Sequence, residues 1–237
     1  MNNVVVLPLT AGQELVIASD NNGAIGEKTR DAVRTSNSVV GYFACRVAVM
    51  ECLAAGGEVR AVVMQNFTDN EAWQDYKQGV EQVMEKLKLD QIPITGSTES
   101  NFPGLQSGLG LTVVGTRTLA KTSGFLGDEG FAVIGTPLVG NEVLEQPDKV
   151  APLWLFQRLC RMDSVNALLP VGSKGVAAAW RTWTGRSNKL DCTVDLEKSA
   201  GPATCFLIAY DNGDEAKIKE VVGSFFYRLL PVGVVES

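Results

Sequence analysis

The sequence predicts a mixed α+β protein built as two domains, and three observations carry that reading. Of the 237 residues, 45% are apolar, enough for a real core and more than a disordered or fibrous chain carries. Segments of strand and of helix character mix in both halves, with hairpin-like strand pairs rather than a regular strand–helix–strand rhythm. Between the halves, residues 123–130 hold three glycines and few large apolar side chains. A boundary there gives an N-terminal domain over 1–127 and a C-terminal domain over 128–237.

Each element has a local reason. Residues 4–7 and 14–19 read as strands around a turn at 10–13. Residues 20–28, Asp-Asn-Asn-Gly-Ala-Ile-Gly-Glu-Lys, are rich in Gly and Asn and read as a loop with unusual backbone freedom. Ser38 is placed to cap a helix over 39–55 that ends at Gly56-Gly57. That helix is apolar on most sides and belongs inside the fold, with Arg46 and Glu51 as its polar interruptions. Residues 60–67, ending in Phe67, read as a buried strand. A helix from Asp69 or Asn70 to about Leu89 carries one apolar stripe through Trp73, Tyr76, Val80, Val83, Met84 and Leu87. A short strand at 92–94 leads into a polar loop over 95–104, and 110–116 is a further strand.

In the second half a strand covers 131–135. A helix with Pro152 near its start ends by Arg161, and a second helix covers 173–183. A strand at 203–210, a helix from Asp214 to about Phe226 and a strand at 232–235 complete the chain. Gly172-Ser173-Lys174-Gly175 reads first as an ordinary helix start, with anion binding as its functional alternative. Trp180 and Trp183 read as core.

Composition removes several function classes. With 21 Lys+Arg against 27 Asp+Glu, the net charge of −6 argues against nucleic-acid or membrane-surface binding. The chain has no histidine, which excludes Ser-His-Asp and Cys-His catalysis, imidazole zinc sites and phosphohistidine. Five cysteines without a CxxC pair read as buried apolar residues in a reduced cytosol. Neither a secretory signal nor a membrane span is expected.

Three places put polar groups on the scaffold. Asp20 at a strand end has the oxygen ligand that Mg²⁺ demands, and the glycines after it, with Lys28, suit phosphate. A plain Gly-rich turn is the other reading. Glu51, inside an apolar helix, is either paired with a cation such as Arg46 or a metal ligand. Thr95, Gly96, Ser97, Thr98 and Glu99 offer hydroxyls and a carboxylate, or form a polar surface turn.

Taken in order, these segments resemble the superfamily of ATP-using proteins that includes aminoimidazole ribonucleotide synthetase, thiamine-monophosphate kinase, selenophosphate synthetase and a hydrogenase maturation protein. The resemblance rests on the strand ending in Asp20 and the loop closing in Gly26-Glu27-Lys28. It continues through Glu51 before Leu53 and Gly56-Gly57, Thr95 to Thr98, and Gly-Thr-Pro-Leu-Val-Gly-Asn at 135–141. The strings at 20–28, 40–43 and 95–103 are similar to the α-ribazole kinase branch of cobalamin salvage. Two departures stand out against the synthetase. Its helix aspartate is Glu51 here, and its Gly-Gly-Glu-Thr glutamate is Ser97.

The resemblance implies a two-domain PurM-like architecture, with N-terminal mixed sheets pairing in a homodimer and a C-terminal α/β sandwich closing the acceptor site. It implies ATP and Mg²⁺ as cofactors, with Asp20 and Glu51 as metal ligands. Gly23, Gly26 and Lys28, with Thr95, Gly96, Ser97 and Thr98, would hold the nucleotide. The resemblance makes Asp20, Glu51 and Glu99 the expected catalytic carboxylates. The implied activity is transfer of the ATP γ-phosphate to a hydroxyl of a small nucleoside-like acceptor, α-ribazole first. Alternatives are a synthetase activating a carbonyl or amide oxygen, or a nucleotide-binding regulator without turnover.

Overall fold

The computed structural model describes residues 4–118 and 129–234, which divide into two compact units at that break. The boundary expected at 127/128 lies outside the described residues.

In the first unit, β1 (Val4–Thr10) and β2 (Gln13–Gly23) form the expected hairpin. Two short strands, β3 (Ile25–Gly26) and β4 (Val33–Arg34), pair in parallel after it. Then come α1 (Asn37–Ala54), β5 (Glu58–Asn66), α2 (Ala72–Leu87), β6 (Ile94–Thr98) and β7 (Gly108–Thr118). The sheet order is β1-β2-β7-β5-β6. Strands β2 and β5 each run antiparallel to β7, and β6 runs parallel to β5. The carboxyl ends of β2, β5 and β6 therefore share one edge of the sheet.

Helix α1 covers one face. Its Ala44, Cys45, Ala48, Val49, Met50 and Cys52 are fully buried, as its nearly all-round apolar sequence requires. It has the length and apolar character of a membrane span, yet most of it is buried inside the unit, so it is a core helix. The cap is Ser36, whose Oγ accepts from the Val39 N–H, rather than Ser38. Helix α2 buries the expected stripe through Tyr76, Val80, Val83, Met84 and Leu87 against it, with Trp73 only partly buried.

Three strand readings change. Strand β2 runs through Asp20 to Gly23, because β7 pairs with it residue for residue down to Gly23–Gly108. The short strand expected at 92–94 begins at Ile94 and runs on through 95–98, expected as loop, because β5 supplies a parallel partner from Val62–Ile94 to Asn66–Thr98. Tertiary pairing overrides the weak strand propensity of Asn, Gly and Ser in both places. Phe67 falls just past β5 and is 57% exposed rather than buried.

The second unit contains β8 (Glu129–Ile134), α3 (Asn141–Glu145), α4 (Leu153–Leu159), β9 (Val165–Pro170), α5 (Gly175–Thr184) and β10 (Asn188–Asp191). It ends with β11 (Phe206–Asp211), α6 (Glu215–Val222) and β12 (Phe226–Val234). Its antiparallel sheet has the order β10-β12-β8-β11-β9. Strand β11 is buried on both faces, so its sequence reads as a continuous apolar run. On one face Trp180 of α5 packs edge-on to Phe131 with ring centres 4.6 Å apart. On the other, Phe156 of α4 meets Phe206 at 4.8 Å. Both tryptophans of α5 therefore serve packing, as expected. Strands β9 and β10 and helix α3 had no clear sequence signal. The last helix stops at Val222 because Gly223 turns the chain with positive φ. All five cysteines are free.

Candidate functional site

The shared edge of the first sheet gathers most of the candidate residues. Asp20 pairs with Leu111, Leu111 with Met64, and Met64 with Gly96. Facing residues in neighbouring strands point the same way, so Asp20 shares the α1-covered face with the buried Val16 and Ala18. Glu51 reaches the same interior from α1 and is 7% exposed.

Burial pushes the Asp20 carboxyl from its ordinary 3.8 up to about 7. Burial, and then the charge of Asp20, pushes Glu51 from 4.5 up to about 7. Two like carboxyls, one half-buried and one buried, within reach of each other's field are an unstable arrangement unless they are protonated or bind a cation. The described residues contain no group of three acidic or sulfur ligands. Two carboxylates nevertheless suit Mg²⁺, which usually keeps its waters and completes its shell with phosphate oxygens. The donor set therefore fits that ion, with Asp20 and Glu51 as the residues that would hold it.

The loop after β2 is held by its own polar contacts. Lys28 Nζ donates to the carbonyls of Thr68 at 2.7 Å and Gly104 at 2.9 Å, and lies 3.6 Å from Asp69. Asp31, which sequence reasoning passed over, accepts from the Ser107 N–H and hydroxyl, each at 2.7 Å, and from the Lys28 N–H at 2.9 Å. Gly26 has φ of +151°, and a Cβ there would sit 2.5 Å from Ser107 Oγ. Its glycine is thus required by packing. Gly23, by contrast, has nothing within 4 Å of where a Cβ would stand, so its backbone is open to a ligand.

Strand geometry divides the Thr95–Thr98 group. Thr95 and Ser97 pair with Val63 and Gln65, on the face away from α1. Thr98 accepts from Asn66 Nδ2 at 3.1 Å on the helix side. Gly96 leaves room for the Met64 carbonyl, which any side chain would strike. Glu99 is exposed and accepts from the Asn101 N–H at 2.7 Å. Three strand spacings, about 14 Å, separate β6 from β2. Glu99 and Asp20 therefore stand at opposite ends of the edge and do not share one ion. Asn66, another residue the sequence did not flag, is 1% exposed and ties β5 to the Thr68 N–H and the Asp69 carbonyl. Its only sequence signal is a polar residue closing an apolar run.

A five-stranded mixed sheet under two helices, followed in the chain by a second, two-sided antiparallel sheet, is shared with known structures. A Thermus thermophilus protein, tt0281, is 11% identical, with TM-score 0.67 over 96% of this chain and 85% of that one. Thiamine monophosphate kinase from Aquifex aeolicus is 14% identical, with TM-score 0.63 over 99% and 90%. HypE, a hydrogenase maturation protein of E. coli, is 11% identical, with TM-score 0.61 over 91% and 80%. The fold is thus the two-domain PurM-like one that the motifs implied. No family model matches the sequence, and no curated protein matches it.

Proposed function

We propose that the protein is a Mg²⁺-dependent small-molecule kinase that moves the ATP γ-phosphate to a hydroxyl of a nucleoside-like acceptor, with α-ribazole as the first candidate. The observation that carries this reading is the carboxyl pair at the end of β2, a half-buried Asp20 facing a buried Glu51. The fold supports it, since an Aquifex thiamine-phosphate kinase of this fold was solved with the ATP analogue AMPPCP and with TMP.

In this reading Asp20 and Glu51 hold the ion, which supplies positive charge against the phosphate oxygens. The open backbone of Gly23 approaches the phosphates, whereas the Thr95 and Ser97 hydroxyls, on the face away from α1, lie outside this site. Lys28, Gly26, Gly96 and Thr98 shape the edge through the contacts above. Transfer forms a bond from the acceptor oxygen to the γ-phosphorus and breaks the bond to the β–γ bridging oxygen, and ADP leaves. The acceptor proton needs a carboxylate, since the chain has no imidazole. With Asp20 and Glu51 engaged, Glu99 is the exposed carboxylate left to accept it. We infer a cytoplasmic homodimer joined through the sheet face away from α1, where Val5, Leu7 and Leu9 are 54%, 45% and 48% exposed.

The test is ADP release with Mg-ATP against α-ribazole, thiamine phosphate and carbonyl or amide acceptors. Asp20→Asn is expected to lower turnover by about 100-fold or more without unfolding the chain. Absence of Mg-ATP binding would sink the reading. Binding without turnover on any acceptor would favour a regulatory nucleotide-binding protein.

A further inference from the structure

At the sheet edge where β5 and β6 finish, three large apolar side chains stand in solvent. Phe67 is 57% exposed, Phe102 81% and Leu105 65%. Exposed rings forgo the stabilisation that burial provides, and here the surrounding polar contacts hold them out. The Phe67 N–H donates to the Gly108 carbonyl at 2.9 Å. Lys28 fixes the Gly104 carbonyl, Gln106 Nε2 donates to the Arg30 carbonyl at 2.7 Å, and Asp31 holds Ser107. The segment is therefore tied down on both sides of Leu105, and Phe102 stands two residues before the first tie.

Toward β7 the row beside Phe67 carries no side chains. Gly23 pairs with Gly108, and a Cβ on Gly108 would lie 3.2 Å from the Phe67 Cβ. Above Gly23 there is open space. Bare backbone next to an exposed ring can be approached by a flat molecule to contact distance, whereas a branched aliphatic group gains little there.

We propose that Phe67 is a stacking platform for the planar aromatic base of a nucleoside-type ligand. Gly23 and Gly108 form its floor, and Phe102 is a second apolar wall on the anchored loop. The seat deepens the kinase reading and rests on it only for the owner of the base, either the adenine of ATP or the base of the acceptor.

The experiment measures affinities of wild type, Phe67→Ala and Phe102→Ala by calorimetry for ATP, α-ribazole and Mg-tripolyphosphate, which has no base. Each variant is expected to weaken one ring-bearing ligand by about tenfold, with tripolyphosphate unchanged within about twofold. The ligand that weakens owns the base. Equal binding of both ring-bearing ligands by all three proteins overturns the seat while leaving the kinase reading intact. Wild-type binding of α-ribazole or ATP without tripolyphosphate, lost in the variants, keeps the seat and removes the phosphate site. A change confined to sedimentation would make the patch a contact between copies and overturn the proposal.

Discussion

Asp20 and Glu51 make the stability of the metal-free protein depend on pH in a defined direction. Both folded-state values are near 7, against ordinary values of 3.8 and 4.5. Between those limits the folded chain binds more protons than the unfolded one, so unfolding free energy falls as pH rises. The favourable share is present in full below about pH 4 and is lost as pH climbs through 7. Thermal melts in chelator should therefore show a decline from this pair between about pH 4 and 7. Glu51→Gln should flatten that decline. Added Mg²⁺ should raise the melting temperature more at pH 8 than at pH 5.5, because it competes with protons for the same oxygens. An equal shift at both pH values would remove the pair from the metal site.

At the scale of elements, the packing of α1 on α2 depends on two glycines. A Cβ on Gly41 would strike the Tyr76 carbonyl, and one on Gly79 would strike the Ser38 carbonyl. Alanine is the better helix former by about 1 kcal/mol, so propensity alone predicts that Gly79→Ala stabilises. The close backbone approach reverses the sign, since overpacking against main chain costs about 1–3 kcal/mol. Urea unfolding should show a lower midpoint with an unchanged slope. A higher midpoint would mean that the helices part without strain.

The same elements show what the sequence made legible. Helix α1 was readable because its apolar character survives in any context, and Asp20 and Glu51 because a carboxylate among buried neighbours needs a reason. Most of strand β6 was unreadable because Thr-Gly-Ser-Thr becomes a strand only when β5 lies beside it. Lys28 was noticed, yet the carbonyls of Thr68 and Gly104 that it binds are 40 and 76 residues away. Phe67 was misplaced because an aromatic at the end of an apolar run looks like core until the end of the pairing is known.

At the scale of the molecule, the first unit has one covered face and one uncovered face. The register places Leu7, Leu15, Ile17, Val114, Ala61 and Val63 together on the side away from α1. Leu7 is exposed, and Leu15, Ile17, Val114, Ala61 and Val63 are only partly covered. A sheet faced on one side by helices and on the other by apolar residues is half of a sandwich. The proposed homodimer supplies the other half, and an isologous contact lets one patch serve both copies. A glutamate at this face would be stranded without a partner in the dimer but solvated in the monomer. Leu7→Glu should therefore shift sedimentation from dimer to monomer, and raise the dissociation constant by about 100-fold or more, as burying an unpaired charge commonly does. Far-UV circular dichroism should be unchanged, because Leu7 is 45% exposed and makes little of the core. If the protein sediments as a monomer before substitution, the open face has another use and the homodimer is wrong.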